Sequence, residues 1–143
     1  MSFHDIPHTD PLAIDARQFV ARFADDGPHF LATHLPPRFI VGTPAGAQEM
    51  DRDRFIEAAL RRATLVTGQS HPSPALVDTK TIALGDTYLL VTAHWTMPLP
   101  GVSGINLVED FLIQRTTPEW MCLAYLLRQD LPSLLQPISS SGN

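Results

Sequence analysis

Apolar residues recur at helical spacing in the first half of the chain and at strand spacing in the second. Leu12, Ala16, Phe19, Val20 and Phe23 fall three and four residues apart, which lines one side of a helix. Asp10-Pro11 ahead of them reads as an N-cap with a first-turn proline, and Gly27-Pro28 as a stop, so the spacing predicts a helix over 11–26. A shorter helix over 28–35 closes at Pro36-Pro37, and Arg38 to Val41 form a short strand that enters the turn-rich Gly42–Gly46. Phe55, Ile56, Ala59, Leu60 and Ala63 restore the helical period behind Asp51, a second N-cap, and predict a helix over 51–66. Past a loop with Gly68, His71, Pro72 and Pro74 the period drops to two. Strands follow at 75–84, 87–97, 105–115 and 120–129, joined at Gly85-Asp86, 98–104 and 116–119. Helices followed by an antiparallel meander make an α+β fold, with the helices gathered on one face of a curved sheet.

At 143 residues the chain has room for one core, placed here at 10–131. Residues 1–9 lack a period and read as a flexible N-terminal arm, and 132–143 as a tail disordered at its end. Ten Lys+Arg against fifteen Asp+Glu leave a net charge of -5, which offers a phosphate backbone no basic surface, so no nucleic-acid partner is expected. Cys122 is the one cysteine and reads as a small buried hydrophobe. The N-terminus shows no secretory pattern and no apolar run approaches the ~18 residues of a membrane span, so the expected address is cytoplasmic, with no membrane partner. His4 and His8 are separated by Pro7, and His29 and His34 fall on different sides of a short helix. No metal and no cofactor are therefore expected.

The stretches Leu84-Gly85-Asp86-Thr87-Tyr88-Leu89-Leu90-Val91-Thr92-Ala93-His94-Trp95 and Phe111-Leu112-Ile113-Gln114-Arg115-Thr116-Thr117-Pro118-Glu119-Trp120, set behind helix, short helix, strand and long helix, resemble the nuclear transport factor 2-like superfamily. That group includes SnoaL-like polyketide cyclases and ketosteroid isomerases. The resemblance covers roughly 11–131 and implies a cone-shaped α+β barrel, with the helices on the concave face of a strongly curved antiparallel sheet, a pocket between them, and a dimer. It marks architecture rather than chemistry, because the superfamily holds enzymes, binders and association domains alike. The isomerase mechanism does not carry over: Arg38 to Pro44 contains no acid, and the first helix has no tyrosine, Tyr88 and Tyr125 being the two in the chain.

Strand parity supplies candidate chemistry. Tyr88, Leu90, Thr92, His94 and Thr96 share one face of 87–97, and Asn106, Val108, Asp110, Leu112 and Gln114 one face of 105–115. A four-residue loop at 116–119 puts Asp110 opposite Tyr125, and a turn centred near Gly101 puts His94 opposite Val108 and diagonal to Asp110. A histidine oriented by a carboxylate beside a phenol is equipped for proton transfer. A one-residue slip would substitute Glu109 for Asp110; the resemblance favours Asp110, because kinase association domains are similar in placing polar pocket residues at the positions of His94 and Asp110. The same pattern also fits the solvated side of a sheet, or a structural His–Asp pair.

Two functions follow as expectations. In the first, a cofactor-free domain binds a small apolar organic molecule in a pocket lined by Tyr88, Leu90, Thr92, Leu112, Tyr125 and Leu127. Turnover there would be isomerisation, cyclisation or dehydration, with His94 as acid or base and Asp110 as its orienter. The alternative is a non-catalytic association domain with a vestigial pocket. In both, the chain pairs with itself through the sheet, and Trp95, Phe111 and Ile113 supply the apolar contact.

Overall fold

A computed structural model describes residues 3–25, 27–67, 75–99 and 102–129. The element order is β1 (Phe3–Ile6), α1 (Pro11–Asp25), α2 (Gly27–His34), β2 (Arg38–Thr43), β3 (Gly46–Asp51), α3 (Arg52–Thr67), β4 (Ala75–Leu84), β5 (Tyr88–Leu99), β6 (Val102–Gln114) and β7 (Met121–Leu127). The seven strands form one sheet in the order β1-β4-β5-β6-β7-β2-β3. Every pairing is antiparallel except β2 with β7, which is parallel. The chain is thus an α+β protein with an open, mostly antiparallel sheet. No described helix is long and apolar enough to cross a membrane.

The helices start where short polar side chains meet the apolar repeat. Asp10 accepts the Leu12 amide at 2.8 Å and Asp51 the Arg54 amide at 3.1 Å, each capping an otherwise unpaired N–H. Gly27 takes φ +75°, a conformation a side chain resists, so the chain turns sharply there from α1 into α2. From α1, Ala16, Phe19, Val20 and Phe23 face inward, and α2 adds Phe30 and Leu31. They meet Leu89, Val91, Ala93 and Trp95 of β5 and Leu107, Phe111 and Ile113 of β6 in one core. Arg52 holds the start of α3 against the end of α2, donating from its guanidinium to the Ala32 and Leu35 carbonyls at 3.3 and 3.2 Å.

Several expectations change. Residues 3–6 are not a loose arm but an edge strand in register with Leu84 to Thr81, and His8 Nε2 reaches the Thr79 carbonyl at 2.8 Å. Gly46–Asp51, given no element in the sequence between the turn-rich Gly42–Gly46 and the cap at Asp51, pairs residue for residue with β2. It is an exposed edge, and edges carry little apolar alternation for a sequence pattern to reveal. β5 and β6 run on to Leu99 and Val102, well inside the loop expected at 98–104. The 68–74 loop and the 132–143 tail lie outside the described residues.

The largest correction concerns the faces of the sheet. Trp95, Phe111 and Ile113, expected to supply the contact between subunits, are 5, 1 and 0% exposed beneath the helices of their own chain. The His94 face is the one without a helix among the described residues. Parity sorted the residues of β5 and β6 correctly, but alternation alone does not say which face the helices choose when both carry apolar residues.

Candidate functional site

His94 stands on the outer face with its side chain 47% exposed. It lies opposite Val108, as the turn geometry predicts, but its partner is Asp78, directly across on β4, with Nδ1 and Oδ1 2.5 Å apart. Asp110 is engaged elsewhere. It accepts Thr92 Oγ1 at 2.6 Å and both arms of Arg128, Nε at 2.7 Å and Nη2 at 2.9 Å. Burial alone would raise this carboxyl; the Arg128 and Thr92 hydrogen bonds and the guanidinium charge outweigh that and hold it below 3.8. The expected His94–Asp110 pair therefore does not form. Asp110 has committed its oxygens to a bidentate ion pair, and Asp78, on a strand not considered for the site, takes the imidazole.

Tyr125 departs further from expectation. Gln114 pairs with Met121 and Ile113 with Cys122, but Leu112 pairs with Ala124, so Leu123 is an extra residue in β7. This bulge reverses parity for the rest of the strand. Asp110 faces Leu126 rather than Tyr125, and Tyr125 pairs with Phe111 on the inner face. The expected pocket set is divided: Tyr88, Leu90, Thr92, His94, Asp110 and Leu112 lie outside, and Tyr125 and Leu127 inside.

Inside, Tyr125 meets the other acid. Its hydroxyl donates to Glu109 Oε2, and its ring lies 5.2 Å from Phe111 and 6.0 Å from Phe23 between centroids. Ala93 and Leu127 flank Glu109 in register across the sheet. Burial among these side chains raises the Glu109 carboxyl above 4.5, and the Tyr125 hydroxyl and nearby Trp95 indole offset only part of the rise. The indole N–H is itself buried and lacks a hydrogen-bond partner of good geometry among the described residues. A carboxyl of raised pKa, a phenol and a buried indole N–H thus converge on the helix-covered face. Sequence reasoning weighed Glu109 but set it aside in favour of Asp110, since nothing in the β7 sequence marks the bulge that delivers Tyr125 to it.

Two surface hollows lie elsewhere. One of about 380 Å³ is lined by Arg38, Gln48, Glu49, Met50, Asp51 and Arg54. The other, about 410 Å³, lies between His8, Thr79 and the exposed side of α1. Among the described residues no group of His, Cys, Asp and Glu is placed to hold a metal. Cys122 is buried, and burial pushes its thiol up to about 12, which leaves it inert.

No protein-family model matches the chain, and neither does any curated protein sequence. Solved structures do. Aln2 from a Streptomyces species superposes with a TM-score of 0.61 at 17% identity, over 87% of this chain and 96% of that one. An NTF-2 like protein of unknown function from Shewanella oneidensis gives 0.60 at 12% identity, over 87% and 100%. An NTF2-like protein from Cytophaga hutchinsonii gives 0.59 at 9% identity over the same shares. At these identities the likeness is one of fold, and the fold is that of the nuclear transport factor 2-like proteins.

Proposed function

From this fold and the half-buried Glu109 carboxyl on its inner face, we propose that the chain binds a small, largely apolar organic molecule against the helix-covered face, with Glu109 as the polar end of the site. The chemistry such a site offers is proton transfer, as in isomerisation, cyclisation or dehydration. The observation that carries the reading is Glu109 itself: an acid whose pKa burial raises, held by Tyr125 among aromatic rings, has the character of a general acid or base. Apolar walls with a few convergent polar groups suit a ligand with one carbonyl or hydroxyl. His94 and Asp78, on the outer face, have no part in it.

The test is a thermal-shift screen with small cyclic ketones, lactones and polyketide fragments. A compound at ~100 times its Kd stabilises by about 2.7 kcal/mol. The reading predicts that a compound stabilising the wild type loses its effect on Trp95→Ala, keeps it on His94→Gln, and that any turnover falls by about 10²–10⁴-fold in Glu109→Gln. A compound whose effect is lost with His94→Gln and kept with Trp95→Ala would overturn it.

A second reading, self-association, has its own support. Ile82, Leu90, Leu112, Ala124 and Ile40 stand side by side on the outer face across β4, β5, β6, β7 and β2, and Ile40 is 38% exposed. An apolar row of this kind suits a copy of the same chain. The two readings use opposite faces and are compatible.

A further inference from the structure

The outer face carries a polar cluster that the proposed site does not use, and it sits directly behind that site. β7 reads Met-Cys-Leu-Ala-Tyr-Leu-Leu, apolar at every position but Tyr125. Alternation that fixes register elsewhere in the sheet is missing here: a slip by one residue after Cys122 would put Ala124 and Leu126 on the inner face in place of Tyr125 and Leu127, and the face would still be lined without a charge from β7. Something beyond the pattern of polar and apolar residues must hold the shifted register.

Polar bonds at the end of the strand do so. Arg128, two residues beyond the outward-facing Leu126, grips Asp110 with both arms of its guanidinium, while Thr92 fixes Asp110 from β5. The Arg128 amide donates to the Val108 carbonyl at 3.2 Å, and the Val108 amide donates to Gln129 Oε1 at 2.9 Å. A forked pair fixes distance and angle together, which a single bond does not. We propose that Asp110 and Arg128 are positioning residues that pin the register of β7 after its bulge and thereby hold the Tyr125 hydroxyl on Glu109 through the thickness of the sheet. The functional weight of this device rests on the reading of Glu109 as the site, but the geometry does not, and the test below involves neither ligand nor turnover.

The experiment follows the titration of the Glu109 carboxyl by ¹³C NMR in the full-length wild type, Arg128→Met, Arg128→Lys, Tyr125→Phe and Arg128→Met/Tyr125→Phe. Loss of the Tyr125 bond removes an influence that lowers the Glu109 pKa, so Tyr125→Phe raises the midpoint. Arg128→Met is expected to raise it by a similar amount, and the double variant no further than Tyr125→Phe alone. Arg128→Lys, which keeps the charge but loses the fork, is expected to move the midpoint in the same direction by less, and it carries the test if Arg128→Met does not fold. An unchanged midpoint in the Arg128 variants overturns the proposal, as does one unchanged in Tyr125→Phe. A shift from Arg128→Met that persists in full beside Tyr125→Phe overturns it too, since it would report the lost charge rather than a lost position. A failed ligand screen, by contrast, would remove the functional reading and leave this result standing.

Discussion

Glu109 and Asp110 are neighbours in sequence and opposites in chemistry, because each faces a different side of one strand. Burial raises Glu109 above 4.5, while Arg128 and Thr92 hold Asp110 below 3.8. The two therefore tilt stability in opposite senses. For Glu109 the folded state keeps its proton longer than the unfolded chain does, so its contribution is most favourable at acid pH and is lost as pH rises from 4.5 through the folded value. Asp110 contributes above 3.8 and loses that contribution as pH falls through its lowered folded value. Chemical denaturation across this range should show Glu109→Gln more stable than the wild type at pH 7 and flatter above pH 4.5, and Asp110→Asn less stable at pH 7 with less acid sensitivity below 3.8. Both carboxylates were visible in the sequence, and so was their division between faces. Their environments were not, since these depend on partners brought in by β7 and by the chain just past it.

The elements were more legible than their joints. Asp10 and Asp51 as caps, the two long helices and the four later strands can all be read from spacing, because each buries one face and the burial writes its period into the sequence. Gly46–Asp51 was not legible, since an exposed edge strand writes no such period, and neither was the bulge at Leu123, since a strand that is apolar throughout hides its register. Deleting Leu123 leaves an unbroken ladder in which Cys122 still pairs with Ile113, Ala124 with Leu112 and Tyr125 with Phe111, so Cys122 and Tyr125 both keep the inner face. The Leu123 deletion should therefore fold and leave the Glu109 titration midpoint where it is in the wild type; a raised midpoint would show instead that Tyr125 has turned outward and left Glu109.

At the scale of the molecule, one sheet presents two different surfaces. The inner face, roofed by α1 and α2, holds the core and the Glu109 cluster; the outer face carries the apolar row from Ile82 to Ile40. If copies pair through that row, Leu90→Arg should give a monomer by sedimentation at micromolar concentration with its helical circular dichroism intact. Trp95→Ala, inside the core, should cost stability, roughly 3–5 kcal/mol for a large buried aromatic, and leave association unchanged. A Leu90→Arg protein that sediments like the wild type would remove the outer row as the contact.

The central claim is that ligand chemistry belongs to the inner face, and Trp95 reports on it directly. The chain has two tryptophans, so a ¹⁵N spectrum of the indole N–H groups contains two signals, separable by a Trp120→Phe variant. A cyclic ketone or lactone that stabilises the protein should shift the Trp95 indole signal strongly, because its N–H is buried close to Glu109 without a hydrogen bond of good geometry, and should leave the His94 ring signals in place. A stabilising compound that moves the His94 ring signals and leaves the Trp95 indole unmoved would contradict the account.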